Sequence, residues 1–94
     1  MIVLRIEHQV ANFEGWKKAF DSDPVGRQQS AVRRYTIFRS TDDPNFVIID
    51  LEFDTQQQAE QMLVGLRKLW GQIEGKVIFG PQTRLLTQVE TVTY

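Results

Sequence analysis

The only histidine of the chain, His8, is the residue best suited to acid–base chemistry at neutral pH. Imidazole has an ordinary pKa near neutrality, so it can act as a general base or as a hydrogen-bond partner for a bound ligand. His8 shares its parity with Leu4 and Ile6 in an alternating segment, which predicts that its side chain points toward the apolar interior. A strand-end histidine satisfied by backbone or water is the structural alternative. The sequence alone assigns no catalytic residue, and His8 is the best single candidate.

Four other residues are candidates for lining a ligand pocket together with His8. Trp16 and Phe20 lie on the apolar stripe of a predicted helix, where core packing is the simpler role for a tryptophan. Arg33 and Tyr35 lie on the apolar side of a predicted strand, where an arginine could orient an anionic ligand or extend to the edge of the sheet. The sequence therefore predicts an apolar pocket with a few polar groups.

Several kinds of chemistry are excluded or disfavoured by the residues that the chain lacks. There is no cysteine, which excludes thiolate catalysis, disulfides and cysteine metal sites. One histidine is too few for an ordinary zinc or non-haem iron site, and the six glycines form no nucleotide-binding motif. Asp50 and Glu52 are two residues apart, but Arg5 and Arg34 are their expected ion-pair partners. We expect no metal and no cofactor.

Length and charge favour one small soluble domain over residues 1–94. A core of this size rarely supplies more than about 3–5 kcal/mol, so we expect a homodimer. The formal net charge of −1, from 11 basic and 12 acidic residues, leaves no electrostatic footprint for nucleic acid or an anionic membrane. No apolar run approaches the roughly 20 residues of a membrane span, and the first residues lack the pattern of a signal peptide. These features predict a cytoplasmic protein.

The elements that must position these residues follow from hydropathy and turn signals. Period-two alternation and β-forming residues predict four strands, and helical spacing with capping residues predicts two helices. The predicted elements are strands at 2–10, 32–39, 46–53 and about 82–89, a helix capped by Asn12, and a helix over 55–70 that stops at Gly71. The tail at 88–94 is β-prone and is predicted either to extend the fourth strand or to reach a neighbouring subunit. The order βαββαβ predicts an α+β, ferredoxin-like fold with an antiparallel four-stranded sheet and both helices on one face.

The pairing of the second and third predicted strands can be inferred from side-chain chemistry. Setting Ser40 opposite Phe46 also sets Arg34 opposite Glu52, so opposite charges meet while the apolar residues fall on the other face. The face without helices is then mixed in character, and an exposed patch of this kind indicates an interface. The dimer-interface candidates are Val3, Arg5, Arg34, Phe38, Phe46, Ile48, Asp50 and Glu52.

The segment Arg39-Ser-Thr-Asp-Asp-Pro-Asn-Phe-Val-Ile-Ile, followed by Phe53 and a capped helix containing Ala59, resembles the dimeric α/β-barrel superfamily. This superfamily includes antibiotic-biosynthesis-monooxygenase-like proteins, and the resemblance covers roughly residues 1–87. It implies a homodimer whose two sheets pack into a barrel, with a ligand cavity between the sheet and the helices of each subunit. It also implies a choice among cofactor-free oxygenases, haem-degrading enzymes, isomerases and members of unknown function.

The haem-degrading branch can be tested on particular residues. That branch has an asparagine on its first strand and an iron-ligating histidine on its second helix. In this chain Asn12 lies beyond the first predicted strand, and the second predicted helix contains no histidine. Trp70 could imitate the tryptophan of that branch, but the absence of the iron ligand disfavours haem.

These observations leave two main functional hypotheses. The first is a small homodimeric barrel that binds an apolar or aromatic small molecule between sheet and helices. It would act as a cofactor-free monooxygenase or isomerase in which His8 is the polar residue that takes part in the reaction. The alternative is a non-catalytic ligand-sensing or protein-interaction domain in which side chains fill the same space. The sequence does not decide whether the protein is an enzyme.

Overall fold

The computed structural model of the chain describes residues 1–94 and has the predicted βαββαβ order. Its four strands form one antiparallel sheet in the order β2-β3-β1-β4. The elements are β1 (Ile2–Val10), α1 (Phe13–Asp21), β2 (Arg34–Arg39), β3 (Phe46–Phe53), α2 (Gln56–Ile73) and β4 (Ile78–Thr87). The ferredoxin-like fold is therefore confirmed. No helix has both the length and the apolar character to cross a membrane.

Both helices begin where the sequence predicts a cap. The Asn12 side chain accepts a hydrogen bond from the Gly15 backbone at 2.9 Å, which satisfies one of the donors left free at the start of α1. Thr55 and Gln58 form a reciprocal capping box at the start of α2, with hydrogen bonds of 3.2 Å in each direction. The starts of both helices are thus determined by local side-chain chemistry.

The predicted register of β2 and β3 is confirmed. Arg34 pairs with Glu52 and Phe38 pairs with Ile48, while the Ser40 amide donates to the Phe46 carbonyl at 3.0 Å. The apolar residues of β1 and β3 consequently face the helices, because side chains alternate between the two faces of a strand. They form the core with residues of the helices and of β4: Leu4, Ile6, Val10, Trp16, Val47, Ile49, Leu51, Phe53, Ala59, Met62, Leu66, Trp70 and Ile78.

The end of the second helix differs from the sequence prediction. The helix passes Gly71 and ends at Ile73, because Trp70 and Ile73 both pack on the core side and outweigh the cost of about 1 kcal/mol for a glycine in a helix. The chain leaves the helix at Glu74, whose backbone is extended, and turns at Gly75 with a φ of 86°. Gly75, rather than Gly71, is the glycine whose conformational freedom is required here.

The two strands at the edges of the sheet also differ from prediction. β2 begins at Arg34 instead of at residue 32, because residues 27–31 form turns. β4 covers Ile78–Thr87 instead of 82–89, and it passes through Gly80 and Pro81 by a bulge. Two residues of β4 there oppose the single residue His8 on β1, since Glu7 pairs with Gln82 and Gln9 pairs with Phe79. Gly80 has a φ of 60°, a conformation that glycine adopts without strain.

The face of the sheet opposite the helices is bare in the single chain. It carries the predicted alternation of charged and apolar side chains on β1, β2 and β3, and β4 adds Phe79, Arg84 and Leu86. Phe38 keeps 47% of its surface exposed on this face. An exposed patch of this kind on a small domain indicates an interface.

Candidate functional site

A cavity of about 250 Å³ lies between the sheet and the two helices. Its walls come from β1, β3, the start of β4, both helices and the loop that follows α1, and 14 of its 18 lining residues are hydrophobic. The lining residues are Ile6, His8, Trp16, Ala19, Phe20, Ser22, Pro24, Val25, Arg27, Ile49, Leu51, Met62, Leu66, Leu69, Trp70, Ile73, Val77 and Ile78. An apolar space with a few polar groups is typical of small-molecule sites.

His8 is the most deeply buried polar group of this cavity, with 3% of its surface exposed. It lies on β1 opposite the two-residue bulge of β4, and bulges often re-aim side chains next to active sites. Its Nδ1 lies 3.2 Å from the carbonyl oxygen of Gln9. Because a carbonyl can only accept, Nδ1 carries the hydrogen and donates it, which leaves Nε2 as a free acceptor in the neutral ring.

The charge state of His8 follows from its burial. Removal from water disfavours the imidazolium and lowers the pKa of His8 below its ordinary value, and the weaker opposing effect is the hydrogen bond to Gln9. No fully buried side-chain nitrogen or oxygen lacks a partner, so Nε2, which makes no hydrogen bond to the protein, is open to a water-sized group. His8 therefore presents a neutral proton acceptor at physiological pH.

Aromatic rings connect His8 to the surface. The Trp16 ring meets the imidazole edge-on at a centroid distance of 5.9 Å and contacts the Phe20 ring at 5.2 Å. Phe20 in turn meets Tyr35 at 5.1 Å with the rings at 73°. Edge-to-face pairs of this kind add to the apolar burial of each ring. Trp16 and Phe20 give the cavity a continuous aromatic wall beside His8, and Tyr35 supports Phe20 from behind.

The structure brings three of the five predicted pocket residues together. His8, Trp16 and Phe20 line the cavity, whereas Arg33 and Tyr35 do not. Tyr35 packs behind Phe20, and Arg33 points outward to Asp54 with an Nη2–Oδ2 distance of 2.6 Å. That hydrogen bond raises the pKa of Arg33. Both residues are on the helix-facing side as predicted, but β2 is an edge strand and the cavity lies over β1 and β3.

Arg27 is a cavity residue that the sequence prediction missed. It lies in the loop between α1 and β2, where its Nη1 donates to the Phe20 carbonyl at 2.8 Å. Its guanidinium carbon lies 4.0 Å from the centroid of the Phe20 ring and 5.0 Å from that of Tyr35. Turns have no hydrophobic period, so the sequence offers no signal for the direction of this side chain beyond its charge. Arg27 adds a cation to an otherwise apolar site.

The acidic pair on β3 is fully engaged by arginines. Arg5 donates hydrogen bonds from Nε and Nη2 to the two carboxylate oxygens of Asp50, both at 2.8 Å. Arg34 donates from Nε and Nη2 to the two carboxylate oxygens of Glu52 at 2.6 and 3.2 Å. These are the partners that the sequence predicts. No group of three or more histidine, cysteine, aspartate or glutamate side chains could hold a metal ion. Asp50 and Glu52 therefore serve the bare face of the sheet and not the cavity.

The burial of His8 predicts a pH-dependent stability. The unfolded chain binds the proton with a pKa of about 6.5, and the lowered pKa in the folded state means that acid favours unfolding. The contribution of the neutral His8 side chain to the free energy of unfolding is complete above about pH 6.5 and is lost as the pH falls below that value. We expect the free energy of unfolding from urea titrations, at fixed protein concentration, to decrease between pH 7.5 and 5.5. The variant His8→Gln should show a flatter profile, and parallel profiles would contradict this account.

Comparison with solved structures places this fold among known proteins. SnoaB, a cofactor-independent oxygenase from Streptomyces nogalater, matches with a TM-score of 0.78 and 12% identity over 99% of this chain and 97% of that chain. An antibiotic biosynthesis monooxygenase matches with a TM-score of 0.71 and 12% identity over 96% of this chain and 100% of that chain. A dimeric ferredoxin-like protein from an uncultured marine organism matches with a TM-score of 0.67 and 13% identity over 97% of each chain.

These identities are low, so the likeness establishes the fold alone. At that level the structures described as antibiotic biosynthesis monooxygenase and dimeric ferredoxin-like protein confirm the predicted resemblance to the dimeric α/β-barrel superfamily and its antibiotic-biosynthesis-monooxygenase-like proteins. No protein-family model matches the chain, and no curated protein matches it by sequence.

Proposed function

We propose that this protein is a small homodimeric barrel that binds an apolar or aromatic molecule in the cavity between sheet and helices. We further propose that His8 acts there as a general base in cofactor-free monooxygenation or isomerisation. The observation that carries the proposal is a neutral, buried imidazole with its free Nε2 in a cavity of about 250 Å³. Similar folds described as cofactor-independent oxygenase and antibiotic biosynthesis monooxygenase support the same class of activity.

The chemistry requires only groups that the cavity holds. Nε2 accepts a proton from a hydroxyl group or from a carbon next to a carbonyl, which leaves an electron-rich anion on the ligand. In an isomerisation the proton returns to a different carbon. In an oxygenation the carbanion attacks O₂ to give a hydroperoxide on the ligand, which takes back the proton from Nε2. Cleavage of its O–O bond then expels water with the second hydrogen of the same carbon, so that a CH₂ group and O₂ become a carbonyl and water and the ligand itself supplies all the electrons. The apolar walls exclude competing water from the reacting anion.

The homodimer is proposed from the bare face of the sheet. Two sheets that pack face to face would cover Phe38 and Ile48 of each subunit and keep the arginine–carboxylate pairs at the same interface. A twofold axis presents the same surface twice, so a mixed face can complement itself. The similar structure described as a dimeric ferredoxin-like protein supports this assembly.

The C-terminal tail is proposed as part of the assembly. β4 ends at Thr87, and the Gln88 amide still donates to the Met1 carbonyl at 3.0 Å. Beyond it Val89, Val92 and Tyr94 are largely exposed in the single chain. Residues 88–94 would bury these side chains either by extending β4 along the dimer or by crossing to the partner subunit.

The alternative is a non-catalytic domain that senses a ligand or binds another protein. A cavity packed solid with side chains would have favoured a domain without a ligand, and the open volume beside His8 supports ligand binding, which both an enzyme and a sensor require. Recovery of the bound molecule distinguishes the two. A sensor releases its ligand unchanged, whereas an enzyme releases an oxygenated or isomerised product.

The experiment that tests the proposal begins with binding. Thermal shift and calorimetry with a panel of phenols, naphthols and aromatic ketones should identify compounds that stabilise the dimer by occupying the cavity. Each bound compound is then incubated with protein under air and under argon, and the products are identified by mass spectrometry. We expect at least one compound to gain oxygen under air or to isomerise under both gases. Binding without any conversion across the panel would favour the sensing function.

A further inference from the structure

The guanidinium of Arg27, a residue of the cavity wall, has an unused edge. Its one hydrogen bond runs from Nη1 to the Phe20 carbonyl, and Nε and Nη2 make none. Only 14% of the side chain is exposed, and the nearest carboxylate oxygen, Oδ1 of Asp23, lies 3.5 Å from Nη1. That oxygen already accepts the backbone amide of Arg27 at 2.8 Å. The cation is thus largely removed from water with two of its three nitrogens free.

Three other arginines of the chain use the edge formed by Nε and Nη2 to bind a carboxylate. Arg5, Arg33 and Arg34 each direct Nε and Nη2 together at a carboxylate, that of Asp50, Asp54 and Glu52 respectively. The planar fork of these two nitrogens matches the two oxygens of a carboxylate. Among the four arginines that contact an acidic side chain, Arg27 alone leaves the fork empty, and it alone lines the cavity.

We propose that Arg27 is the specificity-determining residue for ligands that carry a carboxylate, so that the cavity binds an aromatic carboxylic acid. This inference rests on the proposed ligand-binding function. The carboxylate occupies the Nε and Nη2 fork of Arg27, and the aromatic body lies along Trp16 and Phe20. The opposite end of the ligand then reaches Nε2 of His8, since the rings of Trp16 and Phe20 connect the two polar groups.

Two aromatic rings help to orient the guanidinium of Arg27. Its guanidinium lies over the faces of Phe20 and Tyr35, which fixes the plane of the fork without using Nε or Nη2. A side chain that is already ordered loses little conformational entropy when the ligand binds. The ion pair with a carboxylate is then shielded from water and salt more than an exposed pair would be.

A matched pair of probes tests the inference. The anion 2-naphthoate and the neutral 2-naphthamide have almost the same shape and differ in charge. By calorimetry we expect the native protein to bind 2-naphthoate roughly tenfold to a hundredfold more tightly than 2-naphthamide, the range for a charge-assisted bidentate contact. Arg27→Gln should abolish that preference, and Arg27→Lys should retain part of it because the charge remains but the fork is lost.

Control measurements separate the outcomes. Arg33→Gln removes an arginine near the cavity that does not line it, so this variant should keep the full preference. Unchanged binding of 2-naphthamide by Arg27→Gln would establish that the cavity remains folded. Equal affinity of the native protein for both probes, or an intact preference in Arg27→Gln, would overturn the role of Arg27 and leave the cavity as a ligand site. Failure of both probes to bind the native protein would overturn the proposed ligand-binding function as well.

Discussion

Replacing Phe38 with aspartate should convert the proposed dimer to a monomer. Phe38 lies on edge strand β2 with 47% of its surface exposed in the single chain, so the change removes few contacts within a subunit. Across a twofold axis it removes two rings whose exposed halves the dimer would bury, each contributing roughly 1 kcal/mol, and it places two carboxylates next to apolar side chains of the interface. We expect the dissociation constant to rise at least about a hundredfold, or about 2.8 kcal/mol.

Size-exclusion chromatography with light scattering over a dilution series measures this effect. The matched control is Val64→Asp, because Val64 has a similarly exposed apolar side chain, 58% of its surface, on the outer side of α2. That variant should remain dimeric with the native dissociation constant. A native chain that is monomeric at micromolar concentration, or a Phe38→Asp variant that stays dimeric, would contradict the interface proposed on the bare face.

Local chemistry made most of the fold predictable. Asn12 and Thr55 predict the starts of the two helices, because the side chain of a capping residue accepts a hydrogen bond from a backbone amide only three residues further along the chain. The register of β2 and β3 was also predictable, since a slip of one residue would separate Arg34 from Glu52 and expose the apolar residues of both strands. These features depend on neighbours that are close in sequence or directly opposite in one hairpin.

The features that escaped prediction depend on distant parts of the chain. Gly80 and Pro81 indicate the end of a strand when only the sequence is considered. In the structure they lie within β4, because its pairing with β1 accommodates them as a bulge opposite His8. The alternation of side chains along β2 placed Tyr35 on the correct face of the sheet. Alternation does not show where a strand lies within the sheet, and because β2 is an edge strand, Tyr35 lies outside the cavity. Arg27 escaped because the direction of a loop residue is decided by tertiary contacts such as its hydrogen bond to the Phe20 carbonyl.

The polar groups of the site therefore come from two different sources. His8 is carried by a strand whose period is visible in the sequence, and its orientation follows from that period. Arg27 is carried by a loop held on the aromatic residues Phe20 and Tyr35. Loops vary more readily than the elements that they connect, so a fold of this kind can keep the proposed base on β1 and change the residue that we propose selects the ligand.

Replacing His8 with glutamine should remove turnover while leaving ligand binding in place. Glutamine fills much of the same volume and can accept a hydrogen bond, but it cannot take up a proton. General base catalysis contributes typically about 10² to 10⁴ in rate, and we expect a loss in kcat within that range for any compound that the native protein converts. The dissociation constant should change by only a few fold, because the walls of the cavity supply most of the contact area.

The pH dependence of the native rate distinguishes a base from a structural histidine. Because burial lowers the pKa of His8, kcat should be constant above about pH 6.5 and should fall only on the acid side of that value. A cavity-filling variant, Leu66→Phe, provides the contrast, since it should lose binding and turnover together without altering the imidazole. If His8→Gln kept the native kcat, His8 would be a buried structural residue, and the proton acceptor would have to be sought on the ligand itself.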